Sequence, residues 1–325
     1  MVTLSEIERV RWSDASAFRR DLMGRVSSGL ELNLQLLGQQ EQTLRGSVRP
    51  LALSLARGEI LYSRVVHKIA QWTGTRLPPS FRDSPRWNIG YHFNDALYYL
   101  WSDWAGTPAG ERQIATIQQL VSANSRRYCD HRGRAVYLGA GLGRYAFEGG
   151  KHFSSVLAVE LSFACAALFT AVRAAPIDFC MVHWGAASEH ELVEIHRAVF
   201  PIESGGTNVD YVIADARALP IADASLDAVI SIFFTDVVPL SMLLPEVRRV
   251  LRPGGRFINV GPLAYHLHFT DKAEWLTQEE VRYVFESVHH MAFESGDSVL
   301  EVPVMDCPGS RRLIYRVWSF VATRT

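Results

Sequence analysis

Residues 135–144 read Ala-Val-Tyr-Leu-Gly-Ala-Gly-Leu-Gly-Arg: a short apolar run, three alternating glycines at Gly139, Gly141 and Gly143, then Arg144. A second apolar run, 156–159, closes on Glu160, 21 positions after Gly139. Strand, glycine turn, helix, strand and terminal acid make the opening unit of a doubly wound α/β sheet, with a ligand expected over the turn. The glycine spacing separates two adenosine-bearing cofactors. A dinucleotide fingerprint wants glycine at the first, third and sixth places, so that a pyrophosphate can reach a helix N-terminus. Here the sixth place is Arg144 and the third glycine comes one residue early. S-adenosylmethionine (SAM) has no pyrophosphate to seat, and the tighter G-x-G-x-G loop suits it. The spacing therefore favours a methyl-transferring domain over a dehydrogenase.

Further strands are predicted after this unit, at 211–214, 228–234, 256–260, 299–304 and 313–321. An amphipathic helix over 239–251 ends at Pro253-Gly254-Gly255, a stop signal. Another helix is predicted to start at Thr277, which has capping-box spacing to Glu280. The last two strands are joined through Pro308-Gly309. Parallel β/α units followed by a closing hairpin predict a Rossmann-like, doubly wound, seven-stranded sheet with an antiparallel edge. Residues 1–110 read as a helical region preceding this domain, which takes 111–325. Leu30, Leu34 and Leu37 lie among polar residues with no strand-like alternation, and Gly74, Pro78, Pro79 and Pro85 mark a loop. An aromatic-dense segment follows, with Trp87, Tyr91, Phe93, Tyr98, Tyr99, Trp101 and Trp104. Aromatics at helical spacing read first as core packing, with room for some to roof a pocket.

Composition excludes several classes. The 325 residues are 48% hydrophobic and 21% charged, as in ordinary globular proteins. Net charge is −1, and basic residues cluster no more densely than Arg126-Arg127 or Arg311-Arg312, so no nucleic-acid partner is expected. Cys129, Cys165, Cys180 and Cys307 form no C-x-x-C pair, which argues against a zinc or thioredoxin-like site and suits a reducing compartment. Glu6, Glu8 and Arg9 break any apolar leader, and Glu160 interrupts the longest apolar stretch. A cytoplasmic protein that does not engage membranes is expected.

Chemistry is predicted at the carboxyl ends of the strands, where such sheets bind ligands. Gly139, Gly141 and Gly143 admit close backbone approach, and Glu160 offers a bidentate acceptor for two ribose hydroxyls. Asp215, with Ala216, ends the third strand, where an acid and an amide can read an adenine edge; the same residues also suit a plain Asx turn. Phe233-Phe234-Thr235-Asp236 carries an acid to the edge after the fourth strand, and Gly261-Pro262-Leu263-Ala264-Tyr265-His266 follows the fifth. His266-x-His268 lacks a third ligand, and His190, Glu191 and His196 have the wrong spacing for a zinc helix, so no metal is expected.

Taken together, Gly-Ala-Gly-Leu-Gly-Arg at 139–144, Phe-Phe-Thr-Asp at 233–236 and Arg-Pro-Gly-Gly-Arg-Phe-Ile-Asn-Val-Gly-Pro-Leu-Ala-Tyr-His at 252–266 resemble the carnosine N-methyltransferase family. The resemblance runs from Asp103-Trp104, through Glu111-Arg112 and an insert near Phe200-Pro201, to Tyr315. It implies that SAM is the cofactor and that Gly139, Gly141, Gly143, Arg144, Glu160, Asp215, Ala216 and Ile232 line its site. It further implies that Phe233, Asp236, Tyr265, His266 and Tyr315 bind the acceptor, with Asp236, Tyr265 and His266 catalytic. Departures are Ile232 where the family tends to have cysteine, and Leu226 where tryptophan is common. The expected reaction is methylation of an imidazole nitrogen in a histidine-like small molecule or short peptide. The alternatives are another small nitrogen or oxygen nucleophile, a protein histidine, or a non-catalytic SAM-binding scaffold. The N-terminal helices are expected either to cap the site or to pair two copies into a homodimer.

Overall fold

The computed structural model describes residues 93–128, 133–182, 193–201, 208–265, 275–304 and 313–325. The helices expected before residue 93, His190, His266 and His268 lie outside the described residues. Among the described residues two helices come first, α1 (Phe93–Trp104) and α2 (Pro108–Tyr128). The first β/α unit is β1 (Arg134–Leu138), α3 (Arg144–Gly149) and β2 (Ser155–Glu160). Then come α4 (Phe163–Ala174), the pair β3 (Ile177–Val182) and β4 (Val193–Ala198), and β5 (Val209–Ile213). The rest is β6 (Leu226–Ile232), α5 (Leu240–Val250), β7 (Leu251–Gly261), α6 (Gln278–Tyr283), β8 (Met291–Val304) and β9 (Leu313–Arg324).

Seven strands form one sheet in the order β5-β2-β1-β6-β7-β9-β8. The first five run parallel, and β9 is antiparallel to both β7 and β8. The expected architecture is therefore present: a doubly wound sheet with an antiparallel edge. Chain direction across the sheet reverses between β1 and β6. The glycine turn after β1 and Phe233–Asp236 after β6 consequently flank the switch point, where a crevice forms outside the strand ends.

Central strands with no polar face bury both sides, as parallel strands must. Val136 and Leu138 face α5, whose Leu243, Leu244, Val247 and Val250 are fully buried. Those side chains recur at helical spacing, and each contributes a gross 1.5–3 kcal/mol or about that from burial. Ala135 and Tyr137 face α2 through Ile117 and Val121. A third apolar cluster joins α1 to α3 and α4, with Leu100, Trp101 and Trp104 against Leu142, Phe147 and Leu168. The aromatics of 98–104 are thus mainly core, as their spacing implies.

The β3–β4 pair, a two-stranded antiparallel sheet, is not anticipated from the sequence. Its alternation is short and half-polar: Phe179 and Ala198 are buried, while Ile195 and Arg197 point outward. Its place is fixed by α1 and α4, whose Trp101 and Leu168 share a core with Phe179. That is a tertiary cause, invisible to local pattern. The capping box is as expected, with the Glu280 amide donating to Thr277 Oγ1 and the Thr277 amide donating to the Glu280 carboxylate.

Candidate functional site

The glycine turn is held from several directions. Gly139, Gly141 and Gly143 all have positive φ, at 57°, 55° and 76°, a region closed to most side chains. A Cβ built on Gly139 would overlap the Phe234 ring, and one on Gly143 would lie 2.9 Å from Phe169. At Gly141 the same construction meets only Tyr99, at 4.0 Å. Two of these glycines therefore let a ring close onto the loop, and Gly141 leaves room beside it.

Glu160 is 3% exposed, and both of its oxygens are engaged. Oε2 accepts the Gly141 amide at 2.8 Å; Oε1 accepts the amides of Leu161 and Ser162 at 2.8 and 2.9 Å. Burial pushes its carboxyl above the usual range, and the three amides pull it back. A carboxylate has about four acceptor sites, so one remains on Oε2. A grip on two ribose hydroxyls requires one amide to yield.

These bonds also test the cofactor. A pyrophosphate site needs free amide donors at its turn. Here the Ala140 amide donates to Val159 O, that of Gly141 to Glu160, and that of Gly143 to Ala140 O. The turn thus presents an acceptor where a dinucleotide site presents donors. That fits the hydroxyl donors and positive charge of SAM, with Gly139–Gly143 and Glu160 as the residues that would hold it.

Arg144 directs its guanidinium to protein: it donates to Asp103 O at 2.7 Å, pairs both terminal nitrogens with Glu111 at 3.2 Å, and reaches Glu148 at 3.2 Å. It also lies over the Trp104 ring, 5.1 Å from the centroid. Its place is the junction of α1, α2 and the glycine turn. Asp215 follows β5 and accepts from the Arg217 amide and guanidinium, which holds its carboxyl below the usual range. Ala216 is buried in the α5-side core and Ile232 in the α2-side core.

Across the switch point, β6 ends in a strained turn. Phe233 has φ 51°, unusual for a non-glycine residue and costly by about 1 kcal/mol or more. Buried hydrogen bonds keep it there. Ser231 Oγ and Thr235 Oγ1 are 2.7 Å apart, Thr235 Oγ1 donates to Asn259 Oδ1 at 2.6 Å, and Asn259 Nδ2 donates to Trp318 O at 3.0 Å. Asp236 follows directly, 4% exposed, with Oδ2 accepting the Ala264 amide at 2.7 Å.

Tyr265 and Tyr315 gather around Asp236. Burial raises both phenols, and the negative field of Asp236 adds to the rise in each. The Phe233 and Tyr315 rings are 6.0 Å apart. Tyr265 stacks on Trp275 at 6.0 Å and donates its hydroxyl to Leu276 O at 3.1 Å. The structure therefore brings Phe233, Asp236, Tyr265 and Tyr315 together, and His266 lies outside the described residues. Two more residues support the site without a sequence signal. Tyr211 on β5 donates its hydroxyl to Gly141 O at 2.7 Å, and Phe169 on α4 stacks on Tyr211 at 4.5 Å.

Residues 136–259 match the model of a family described as a methyltransferase domain. The match begins in β1 and ends in β7, so it contains the glycine turn, Glu160, Asp215 and Asp236. A ubiquinone/menaquinone biosynthesis C-methyltransferase UbiE from Rubrivivax gelatinosus is 38% identical over 73 residues, 22% of this chain and 26% of that protein. Its namesake from a Caulobacter species is 46% identical over 59 residues, 18% of this chain and 23% of that one. The chain thus spans about a quarter of the length of the curated relatives it matches. The solved YcgJ protein from Bacillus has a TM-score of 0.44 at 14% identity, covering 63% of this chain and 98% of that chain. A SAM dependent methyltransferase from Aquifex aeolicus has a TM-score of 0.40 at 12% identity, covering 73% of this chain and 100% of that chain. The fold is the Rossmann-like methyltransferase fold, and the cofactor indicated by the matched domain is SAM. Among the described residues, no helix is long and apolar enough to cross a membrane.

Proposed function

We propose that this chain is a SAM-dependent methyltransferase of the carnosine N-methyltransferase type, acting on an imidazole nitrogen of a histidine-like small molecule or dipeptide. The observation that carries the reading is the buried Asp236 carboxylate. It stands at the carboxyl end of β6, across the switch point from the glycine turn, with two tyrosines beside it. SAM supplies an electrophilic methyl group when bound. The transfer then needs alignment more than acid–base work.

An imidazole must present its hydrogen-free nitrogen to the methyl group. Asp236 selects that tautomer by accepting the N–H of the other nitrogen. Its Oδ2 accepts the Ala264 amide, which holds the carboxylate in a fixed orientation at this edge. As the ring gains positive charge, the same carboxylate stabilises it without moving, which is where preorganised electrostatics is most effective. Phe233, Tyr265 and Tyr315 supply ring faces that favour a cation. His266 completes the acceptor set implied by the resemblance.

The test is incubation with methyl-labelled SAM and a panel of histidine, histidyl dipeptides, thiolated histidines and peptides, read by mass spectrometry. Label on an imidazole nitrogen supports the reading. A second reading, carbon methylation of a small aromatic acceptor, is favoured by the C-methyltransferase activity of the partial relatives. Label on a ring carbon of a quinone precursor, with none on the histidyl panel, would replace the first reading with the second.

A further inference from the structure

We propose that Tyr99 is a wall of the cofactor site, and that α1 is bolted to the glycine turn to keep it there. This rests on reading the turn as the SAM site. Gly141 is the centre of the contact. Its amide goes to Glu160 and its carbonyl to Tyr211, so both backbone groups are taken. The one direction left, where a side chain would project, looks onto the Tyr99 ring at 4.0 Å.

Three bonds fix α1 at that distance. Trp104 Nε1 donates to Leu142 O at 2.9 Å, Arg144 donates to Asp103 O at 2.7 Å, and the Val199 amide donates to Trp104 O at 2.9 Å. Leu100, Trp101 and Trp104 are buried, which locks the helix rotation. Tyr99 and Asp103 are four residues apart and share one helix face. That face therefore turns toward the glycine loop while its neighbours fill the core. Tyr99 remains only half-buried in the midst of this packing. A part-covered aromatic ring within van der Waals reach of a glycine that bears no side chain is the arrangement that a flat or cationic ligand completes.

The ligand class is an adenosyl sulfonium, and the contact is through the ring, not the hydroxyl. Calorimetry with SAM and with its demethylated product on the wild type, Tyr99→Phe and Tyr99→Leu distinguishes the roles. Tyr99→Phe should keep SAM affinity within about twofold, and Tyr99→Leu should lose about tenfold, the scale of one aromatic contact. The melting temperature of the ligand-free Tyr99→Leu protein should stay close to wild type. Equal SAM affinity in Tyr99→Leu and wild type overturns the proposal. So does a lowered melting temperature with unchanged affinity, which marks a merely structural ring. If Tyr99→Leu does not fold, hydrogen exchange on the wild type decides: added SAM should protect residues 93–104, and unchanged exchange there refutes the contact. A wild-type protein that binds no SAM refutes the site itself.

Discussion

Glu160 and Gly141 are joined by one hydrogen bond of 2.8 Å that ties the end of β2 to the turn after β1. The carboxylate that should bind the cofactor is thus also the strut that shapes the loop beneath it. Glu160→Ala removes the acceptor for three buried or part-buried amides, each worth about 1 kcal/mol or more when left unpaired. The variant should lose SAM affinity at least tenfold, by about 1.4 kcal/mol, and melt at a lower temperature. Calorimetry and thermal denaturation check the two together. Retained affinity would mean that the acid serves the loop alone.

Asp236→Asn should lower the single-turnover methylation rate by about a hundredfold or more, the scale for loss of a positioned general acid–base or tautomer-setting group. SAM affinity should be unchanged, since Asp236 is held by Ala264 in the segment after β7 and stands across the switch point from the glycine turn. Measuring both on the same preparation separates the roles. An unaltered single-turnover rate rules out the tautomer role.

Gly139→Ala and Gly254→Ala form a matched pair. Both glycines have positive φ, so both variants bear a backbone cost of about 1 kcal/mol. At Gly139 the new methyl also strikes Phe234, whereas at Gly254 nothing lies within 4 Å. Urea unfolding should show Gly139→Ala the less stable by a further 1 kcal/mol, approximately. Its methylation rate should fall as well, because Phe234 leads directly into Thr235 and Asp236.

Thr235→Val is isosteric but removes the hydroxyl that links Ser231 to Asn259. Two buried polar groups then lose a partner, a cost of about 1–3 kcal/mol. The strained Phe233 turn should relax with them. Denaturation should report the stability loss, and acceptor KM should rise more than SAM affinity falls.

Asp103 links stability to pH. Burial raises its carboxyl from 3.8 to about 7; Ser102 donates to it at 2.8 Å, Arg144 opposes the rise and Glu111 adds to it. Tyr145, which also lies within its field, is raised mainly by burial. The folded state holds this proton more tightly than the unfolded chain. Its contribution is therefore fully present below pH 3.8 and is lost as pH climbs through about 7, a change of order 4 kcal/mol at most. Asp103→Asn carries no such titration. Denaturant unfolding at pH 5 and pH 8 should show its advantage over wild type widening at pH 8. A gap that narrows instead contradicts the buried, proton-binding Asp103.

The sequence by itself determined the sheet, because three signals there are local. Glycines with forced positive φ mark the turn, apolar runs mark the buried parallel strands, and Glu160 and Asp236 fall at strand ends by counting. The Thr277 cap is legible for the same reason, since donor and acceptor are three residues apart. Tertiary structure alone decided what these residues touch. It joined Gly141 to Tyr211 across 70 positions and Trp104 to Leu142 across 38. It turned Arg144 toward Glu111 and Asp103, set Trp275 on Tyr265, and laid the β3–β4 pair against α1. Each of these depends on which faces of separate elements meet. Periodicity shows that a face is apolar, and only packing chooses its partner.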